Sequence, residues 1–481
     1  MPTSELSSAR RWLPDATTGR RFPSFHVLAK PVGPICNLNC RYCYYLAKEQ
    51  IYPERKGMAF RMQSEVLEEF IRQYIASQSA PVVNFAWQGG EPTLLGLDFF
   101  EHVVALQRKH RPTGVQIANA LQTNGTLLDD RWGAFLKAND FLVGISIDGP
   151  EELHDRFRAD KGDHPSHAKV IAGLRALQRH GIDHNILTTV NSANVTYPLE
   201  IYRYLKDLGS RYLQFIPIVE RPGRGPRVSP ETVPAQAYGE FLCRIFDEWV
   251  RHDVGSVFIQ LFDNTLSIWS GMGSPLCVFA ETCGDALVLE HNGDLYSCDH
   301  FVLPEHRLGN IGELPLAGMV NSRAQVAFGI GKSESLPSQC RRCDVRFACN
   351  GECPKNRFLT TADGEPGLNY LCAAYLRFYR HVRPAMDTMT ALLAAGRPPR
   401  EITHIMQEAD FAHAIRNARP NDPCPCGGGL KFKRCHHGDG FLKTRPPRQA
   451  EDGWGDDARD PRTLGHLHNR ASRNPRRDRA V

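Results

Sequence analysis

Three cysteines fall within one short stretch, Cys36-Asn37-Leu38-Asn39-Cys40-Arg41-Tyr42-Cys43, with Tyr44 and Tyr45 following. Thiolates this close together on a loop can share a single soft metal centre. A fully protein-ligated iron–sulfur cubane takes four cysteines. Three leave one iron open, and an open coordination position is where a metal site does chemistry rather than hold structure. The alternatives are a zinc loop or three unrelated buried thiols. Zinc wants a fourth ligand nearby, and no Cys or His lies between Tyr44 and Arg61.

Other residues could serve the same centre. In Gly89-Gly90-Glu91-Pro92, the glycines let a ligand approach the backbone and Glu91 can accept from a cationic amine. Ser146, Asp148 and Arg158 offer a hydroxyl, a carboxylate and a guanidinium. Alone, each of these reads as a turn or a surface charge. A second set of thiols runs Cys277, Cys283, Cys298, then Cys340, Cys343, Cys349, Cys353, then Cys372. Eight thiols suit two fully ligated cubanes. One or two structural zinc sites compete, since Cys340-x2-Cys343 looks like half a zinc ribbon. Cys243, on an amphipathic stretch, reads as a core thiol. Near the C-terminus, Cys424, Cys426, Cys435 and His436 offer four ligands for a closed tetrahedral site, with His437 as a substitute for His436.

The elements that must position these groups alternate. Strands are predicted at 22–30, 81–87, 115–122, 141–147, 183–190 and 212–219. Amphipathic helices are predicted at 63–77, 97–110, 132–138, 167–180, 198–208 and 237–250. Such βα intervals argue for a parallel sheet, and the polar motifs follow strand ends, where parallel α/β folds build sites. The fold class is α/β: a partial, laterally open (β/α)6 TIM-like barrel over 22–235, then a cysteine-rich domain over 260–385 closed by a helix at 370–395. A small zinc module follows at 415–440, and a disordered tail at 441–481.

The chain has 481 residues and a net charge of +5, but residues 441–481 carry 10 Lys/Arg against 6 Asp/Glu. The rest is close to neutral, so no nucleic-acid patch is expected. No apolar run of transmembrane length appears, and the Arg-containing N-terminus lacks the apolar core of a secretory signal. Fifteen cysteines clustered at metal-ligand spacings then favour reduced thiols and a cytoplasmic location.

The CxxxCxxC loop with Gly89-Gly90-Glu91-Pro92 resembles the radical S-adenosylmethionine (SAM) enzymes. Cys277 to Cys372 resembles the SPASM domain, the auxiliary-cluster extension of peptide-modifying members. Phe85 to Leu94, Gln122 to Thr126, Gly144 to Arg158, Gln214 to Pro217 and Tyr296 to Asp299 are similar to the anaerobic sulfatase-maturating enzymes. Those oxidise a Cys or Ser of a sulfatase to Cα-formylglycine. The resemblance implies that Cys36, Cys40 and Cys43 hold the SAM cluster, and that Tyr42, Gly90, Ser146, Arg158 and Val219 contact SAM. It places one auxiliary cluster on Cys277, Cys283, Cys298 and Cys353, and the other on Cys340, Cys343, Cys349 and Cys372, three [4Fe–4S] clusters in all. Asp299 falls on the family's catalytic base, and Gln88 and Tyr45 on its substrate side. By the same resemblance, a 5′-deoxyadenosyl radical takes a hydrogen from Cβ, a carboxylate takes the thiol or hydroxyl proton, and a cluster accepts the electron.

Residues 421–436 resemble the SEC-C module, which implies a zinc ion and suggests docking to export machinery or the ribosome. The expected partners are an unfolded or nascent sulfatase and a flavodoxin- or ferredoxin-type electron donor. Two other readings compete. One is a SPASM maturase forming thioether or carbon crosslinks in ribosomal peptides. The other is a non-catalytic adaptor with zinc at every cysteine site.

Overall fold

The computed structural model describes residues 25–52, 60–223 and 225–436. The start of the first predicted strand, His437 and the 441–481 tail lie outside the described residues.

Six strands, β1 (His26–Lys30), β2 (Val82–Trp87), β3 (Gln116–Thr123), β4 (Phe141–Ser146), β5 (His184–Val190) and β6 (Tyr212–Pro217), pair in parallel in chain order. Helices Ser64–Ser77, Leu97–His110, Asp130–Ala138, His167–Arg179, Pro198–Asp207 and Ala235–His252 follow them one by one. The apolar spacing explains the packing. Leu67, Phe70, Ile71, Tyr74 and Ile75 line the buried face of the first helix, and Phe70 and Tyr74 meet Phe85 edge-on. Full burial of such a side chain contributes about 1.5–3 kcal/mol. Asp129 caps the third helix, its carboxylate accepting from the Trp132 N–H at 2.9 Å. The six βα units of the predicted partial barrel are therefore present.

The sheet does not stop there. A short β7 (Phe258–Ile259) lies beside β6, and β8 (Ala286–Glu290) pairs in parallel with β1 over five positions, from His26/Ala286 to Lys30/Glu290. β9 (Asp294–Tyr296) and β10 (Arg307–Asn310) continue antiparallel to give a ten-stranded sheet. The cysteine-rich part thus adds strands to the barrel edge, satisfying the N–H and C=O row that β1 would otherwise leave open.

Helix Cys372–Ala394 packs on helix Ala235–His252. A Cβ on Gly239 would lie 2.9 Å from the Ala374 backbone, so the two helices meet at a residue without a side chain. Cys243 is buried in this interface region as expected of a core thiol. Helix Glu401–Asn417 had no sequence expectation because it lacks an apolar stripe; Ile402 is its buried residue. Polar contacts hold it to Ala235–His252, including Arg251 Nε to Asp410 Oδ2 at 2.7 Å and Gln407 Nε2 to the Arg251 carbonyl at 2.9 Å.

Gly90 shows why the motif after β2 needs its glycine. Its N–H donates to the Gly33 carbonyl at 2.8 Å, and an added Cβ would sit 2.0 Å from the Ile35 carbonyl oxygen. Gly90→Ala should push the 33–36 backbone outward, costing about 1–3 kcal/mol as an overpacked site does and lowering the iron bound at Cys36. Iron content and anaerobic urea melts equal to the unsubstituted protein would refute this.

Candidate active site

The loop 36–43 lies past the end of β1 and is tied to the segment after β4. Asn39 N–H donates to the Ala159 carbonyl at 2.8 Å and Arg41 N–H to the Phe157 carbonyl at 3.0 Å. Asn124 Nδ2 donates to Asn37 Oδ1 at 2.8 Å, and Asn37 Nδ2 to Thr126 Oγ1 at 2.8 Å. The Gln122–Thr126 motif is thus a brace for the cysteine loop. Burial, with Glu91 nearby, pushes the Cys36 thiol up to about 12, and burial pushes Cys40 up to about 11. Such thiols stay neutral until a cation arrives, which fits a ligand set rather than a reactive nucleophile.

The residues expected around SAM converge on this loop. Tyr42 donates its hydroxyl to Asp148 and packs edge-on against Phe157. Arg158 Nε donates to Asp148 Oδ2 at 2.9 Å, and its guanidinium lies 5.6 Å from the Tyr42 ring centre. Ser146 Oγ accepts from Gln122 Nε2 at 3.2 Å. Val219 is buried past β6, and its neighbour Ile218 packs with Tyr42, Phe157 and Cys40.

Two sequence readings are corrected here. Glu91 is fully buried and already accepts from Thr93 N–H, Thr93 Oγ1, Thr123 Oγ1 and Asn124 N–H at 2.6–3.0 Å, so it braces the motif instead of greeting an amine. Asp148 likewise accepts from Tyr42, Arg158, Thr189 N–H and Thr189 Oγ1 and is fully buried, so its carboxylate orients Arg158.

Behind Asp148 stands His154, unremarked in the sequence. Its Nδ1 accepts the Asp148 N–H at 3.2 Å, so Nε2 carries the proton and donates to Ser166 Oγ at 3.1 Å. Ser166 Oγ then donates to the Arg158 carbonyl at 2.6 Å. Burial holds this imidazole down to about 3, neutral at every working pH.

Across the mouth, the strand-end pairing of β1 with β8 builds a charged pair. Lys30, 1% exposed, places Nζ 2.7 Å from Asp299 Oδ1 and 3.3 Å from Gln88 Oε1, and 4.2 Å above the Tyr45 ring. Tyr44 donates to Asp299 Oδ2 at 2.5 Å. Burial raises the Asp299 carboxyl, but Lys30 and His300, with hydrogen bonds from Lys30 and Tyr44, outweigh it and hold the group below the ordinary range. Oδ1 is engaged only by the Lys30 ammonium, so its second lone pair is unclaimed among the described residues. Tyr45 is only 3% exposed and its hydroxyl goes to Glu290. It supports Lys30 from below and presents no free hydroxyl, while Gln88 is half-exposed beside Lys30. Lys30 and Tyr44 were not singled out by sequence. The available signal for Lys30 was a lysine closing an otherwise apolar strand.

The eight later thiols separate into two groups. Cys298 acts electrostatically with Cys353 and Cys277, and Cys283 with Cys277. Cys349 acts with Cys372 and Cys340, and Cys372 with Cys340 and Cys343. Burial pushes Cys349 and Cys353 up to about 12 and Cys283 and Cys372 up to about 11. Cationic Lys332 sits beside Cys277 and Cys283, its Nζ donating to three backbone carbonyls. Among the described residues, Cys424, Cys426, Cys435 and His436 bring all their ligand atoms within 4.8 Å of one another, as a single tetrahedral ion requires.

In the C-terminal module, Cys424 Sγ lies 3.1 Å from His436 Nδ1 and Cys426 Sγ 3.4 Å from Cys435 Sγ. The His436 ring meets Phe411 of helix Glu401–Asn417 edge-on at 6.2 Å.

Residues 31–212 match the Radical SAM superfamily, 277–344 an iron-sulfur cluster-binding domain and 421–438 the SEC-C motif. A serine-type anaerobic sulfatase-maturating enzyme of Bacteroides thetaiotaomicron is 47% identical, covering 82% of this chain and 99% of its own. A cysteine-type one of Clostridium perfringens is 34% identical over 76% of this chain and 98% of its own. The chain belongs to the anaerobic sulfatase-maturating enzymes. It is a radical SAM oxidoreductase of the group that converts a Cys or Ser to Cα-formylglycine, and its cofactors are SAM and [4Fe–4S] clusters. A solved structure of anSMEcpe with bound AdoMet and the Cp18Cys peptide superimposes with TM-score 0.69 at 32% identity, covering 76% of this chain and 99% of that one. Streptococcus suis SuiB bound to its precursor peptide, 14% identical with TM-score 0.52, shares the fold alone. No helix among the described residues is long and apolar enough to cross a membrane.

The maturase's SAM side rests on the His154 relay. His154→Leu would strand the buried Asp148 N–H, costing about 1–3 kcal/mol, and loosen Arg158. Weaker SAM binding together with a lower urea midpoint is expected. SAM affinity at the unsubstituted level would show that His154 does not position Arg158.

Proposed function

We propose that this maturase oxidises a serine or cysteine of an unfolded or nascent sulfatase over the paired ends of β1 and β8, with Asp299 as general base. The observation that carries this is the Lys30–Asp299 pair. It places an ionised carboxylate, its Oδ1 engaged only by Lys30, directly after Cys298 and one hydrogen bond from Tyr44, which follows Cys43. Cys36, Cys40 and Cys43 hold the SAM cluster, and Tyr42, Gly90, Ser146, Arg158 and Val219 border SAM. Cys277, Cys283, Cys298 and Cys353 hold one auxiliary cluster and Cys340, Cys343, Cys349 and Cys372 the other, making three. Bound there, SAM and its reduced cluster supply a radical able to take hydrogen from the substrate Cβ.

The chain's own residues do the rest. Gln88 orients the incoming peptide beside Lys30. Asp299 Oδ1 would take the proton from the substrate hydroxyl or thiol while the remaining electron passes to an auxiliary cluster. The Tyr44 hydrogen bond fixes the carboxylate plane, and Tyr45 with Glu290 keeps the Lys30 ammonium in place. The higher identity to the serine-type relative favours serine as the preferred client residue. We assign the maturase to the cytoplasm, with a flavodoxin- or ferredoxin-type electron donor. The divisions 22–235, 260–385 and 415–440 follow from the strand pattern and the matched ranges.

Asp299→Asn should reduce formylglycine formation in serine- and cysteine-containing peptides by about 10²–10⁴-fold, while SAM cleavage persists to a degree. Lys30→Met removes the cation that keeps the carboxyl low. Its pKa then rises, the ionised base is lost at a higher pH on acidification, and the acidic limb of the pH–rate profile moves up. Full product from Asp299→Asn would end the base assignment, and an unmoved acidic limb in Lys30→Met would end that of Lys30.

The 415–440 module is proposed to bind zinc through Cys424, Cys426, Cys435 and His436 and to dock the maturase on export machinery or the ribosome. Removing residues 415–481 should then eliminate those partners from anaerobic pull-downs with catalysis on free peptide unaltered. The same partner set with and without the module would refute docking.

A further inference from the structure

The turn Asp299–Phe301 follows Cys298 and carries one group that neither the base nor the clusters have yet used. His300 Nδ1 lies 3.5 Å from Cys353 Sγ, and the ring meets Tyr44 edge-on at 5.7 Å. Cys298 and Cys353 belong to the same quartet, so one short turn holds a ligand, the Asp299 carboxylate and a contact to the opposite ligand.

The direction of that contact follows from the acceptor. A cysteine bound to iron is a thiolate with no proton to give, so the hydrogen bond requires Nδ1–H as donor. A hydrogen bond donated to a cluster sulfur favours the state with more negative charge, the reduced one, and hydrogen bonding to the sulfurs is one of the levers that set cluster potentials. We infer that His300 acts through Cys353 as a positioning residue that raises the reduction potential of the auxiliary cluster next to Asp299.

The consequence is local. The proton acceptor and the potential-setting donor are adjacent residues on one turn, so a displacement of that turn alters both together. Tyr44 touches both, through its hydroxyl to Asp299 and its ring to His300. The inference rests on the assignment of Cys353 to that cluster, and the test separates the two.

His300→Leu removes the donor, and His300→Asn offers an amide N–H near the position of Nδ1. Reconstituted full-length proteins are titrated anaerobically while the reduced clusters are followed by electron paramagnetic resonance. One auxiliary signal should shift to a more negative midpoint in His300→Leu and return toward the original in His300→Asn, with the SAM-cluster midpoint unmoved as internal control. Spin-echo modulation of protein labelled with 15N-histidine should show a nitrogen coupling at that cluster that His300→Leu loses. Unshifted midpoints in a variant with the full iron and sulfide content would overturn the role of His300. Iron content unchanged in Cys353→Ala would instead overturn the ligand assignment beneath it, and the inference with it.

Discussion

The five-position parallel pairing of β8 with β1 is the constraint on which the site depends. β1 alone would end at Lys30 with an unpaired edge and a lysine leaving an apolar strand. Laying β8 against it puts Glu290 level with Lys30, and the hairpin into β9 then returns the chain so that Cys298 and Asp299 arrive over the same strand end. A one-residue slip would turn every side chain of β8 to the opposite face. Glu290 would leave Tyr45, and the carboxylate that meets Lys30 would be displaced. Leu287, Val288 and Leu289 are all buried, so both faces of β8 are apolar and it is Glu290, with its Tyr45 partner, that distinguishes this register from a slipped one.

The carboxylates of the site show how burial sorts residues that look alike in sequence. Glu91, Asp148, Glu290 and Asp299 all follow or end strands. Glu91 accepts four hydrogen bonds and Asp148 accepts three neutral donors and one guanidinium, so both are structural anions. Glu290 is closed off by Tyr45 and His291. Asp299 alone of the four has an oxygen whose sole contact is its ionic partner, and alone keeps measurable exposure, 23% of its side chain. A buried charge with one good partner is expensive, and retaining one that is still partly exposed is what a base requires.

This also explains what could be read from the residues in order and what could not. The βα alternation was legible because each helix has its own apolar stripe and each strand its own turn, all local signals. The cysteine spacings were legible for the same reason, since ligands from one loop must be near in sequence. Lys30, Tyr44 and His300 acquire meaning only through partners 269, 255 and 53 positions away, brought together by β8 or by the turn after Cys298. The roles first given to Glu91 and Asp148 failed because sequence shows that a carboxylate is present, never how many donors have already claimed it. The extension of the barrel sheet by β8–β10 was hidden likewise, because an edge pairing leaves no periodic trace in either strand.

The C-terminal module follows different physics from the rest. The catalytic portion mounts its thiols on a core large enough to fold on its own, whereas residues 419–436 bury little beyond Cys424 and Phe432. Backbone bonds from Cys424 N–H to the Leu430 carbonyl and from Phe432 N–H to the Asp422 carbonyl, each 2.8 Å, close the knuckle. So small a unit lacks the apolar area to be stable without a staple, and four ligand atoms at single-ion spacing are such a staple. Under the proposed zinc assignment its fold answers to metal supply and its neighbours' folds to hydrophobic burial. The polar seam along helix Glu401–Asn417, with the Arg251–Asp410 pair at its centre, lets the two be joined without either core depending on the other.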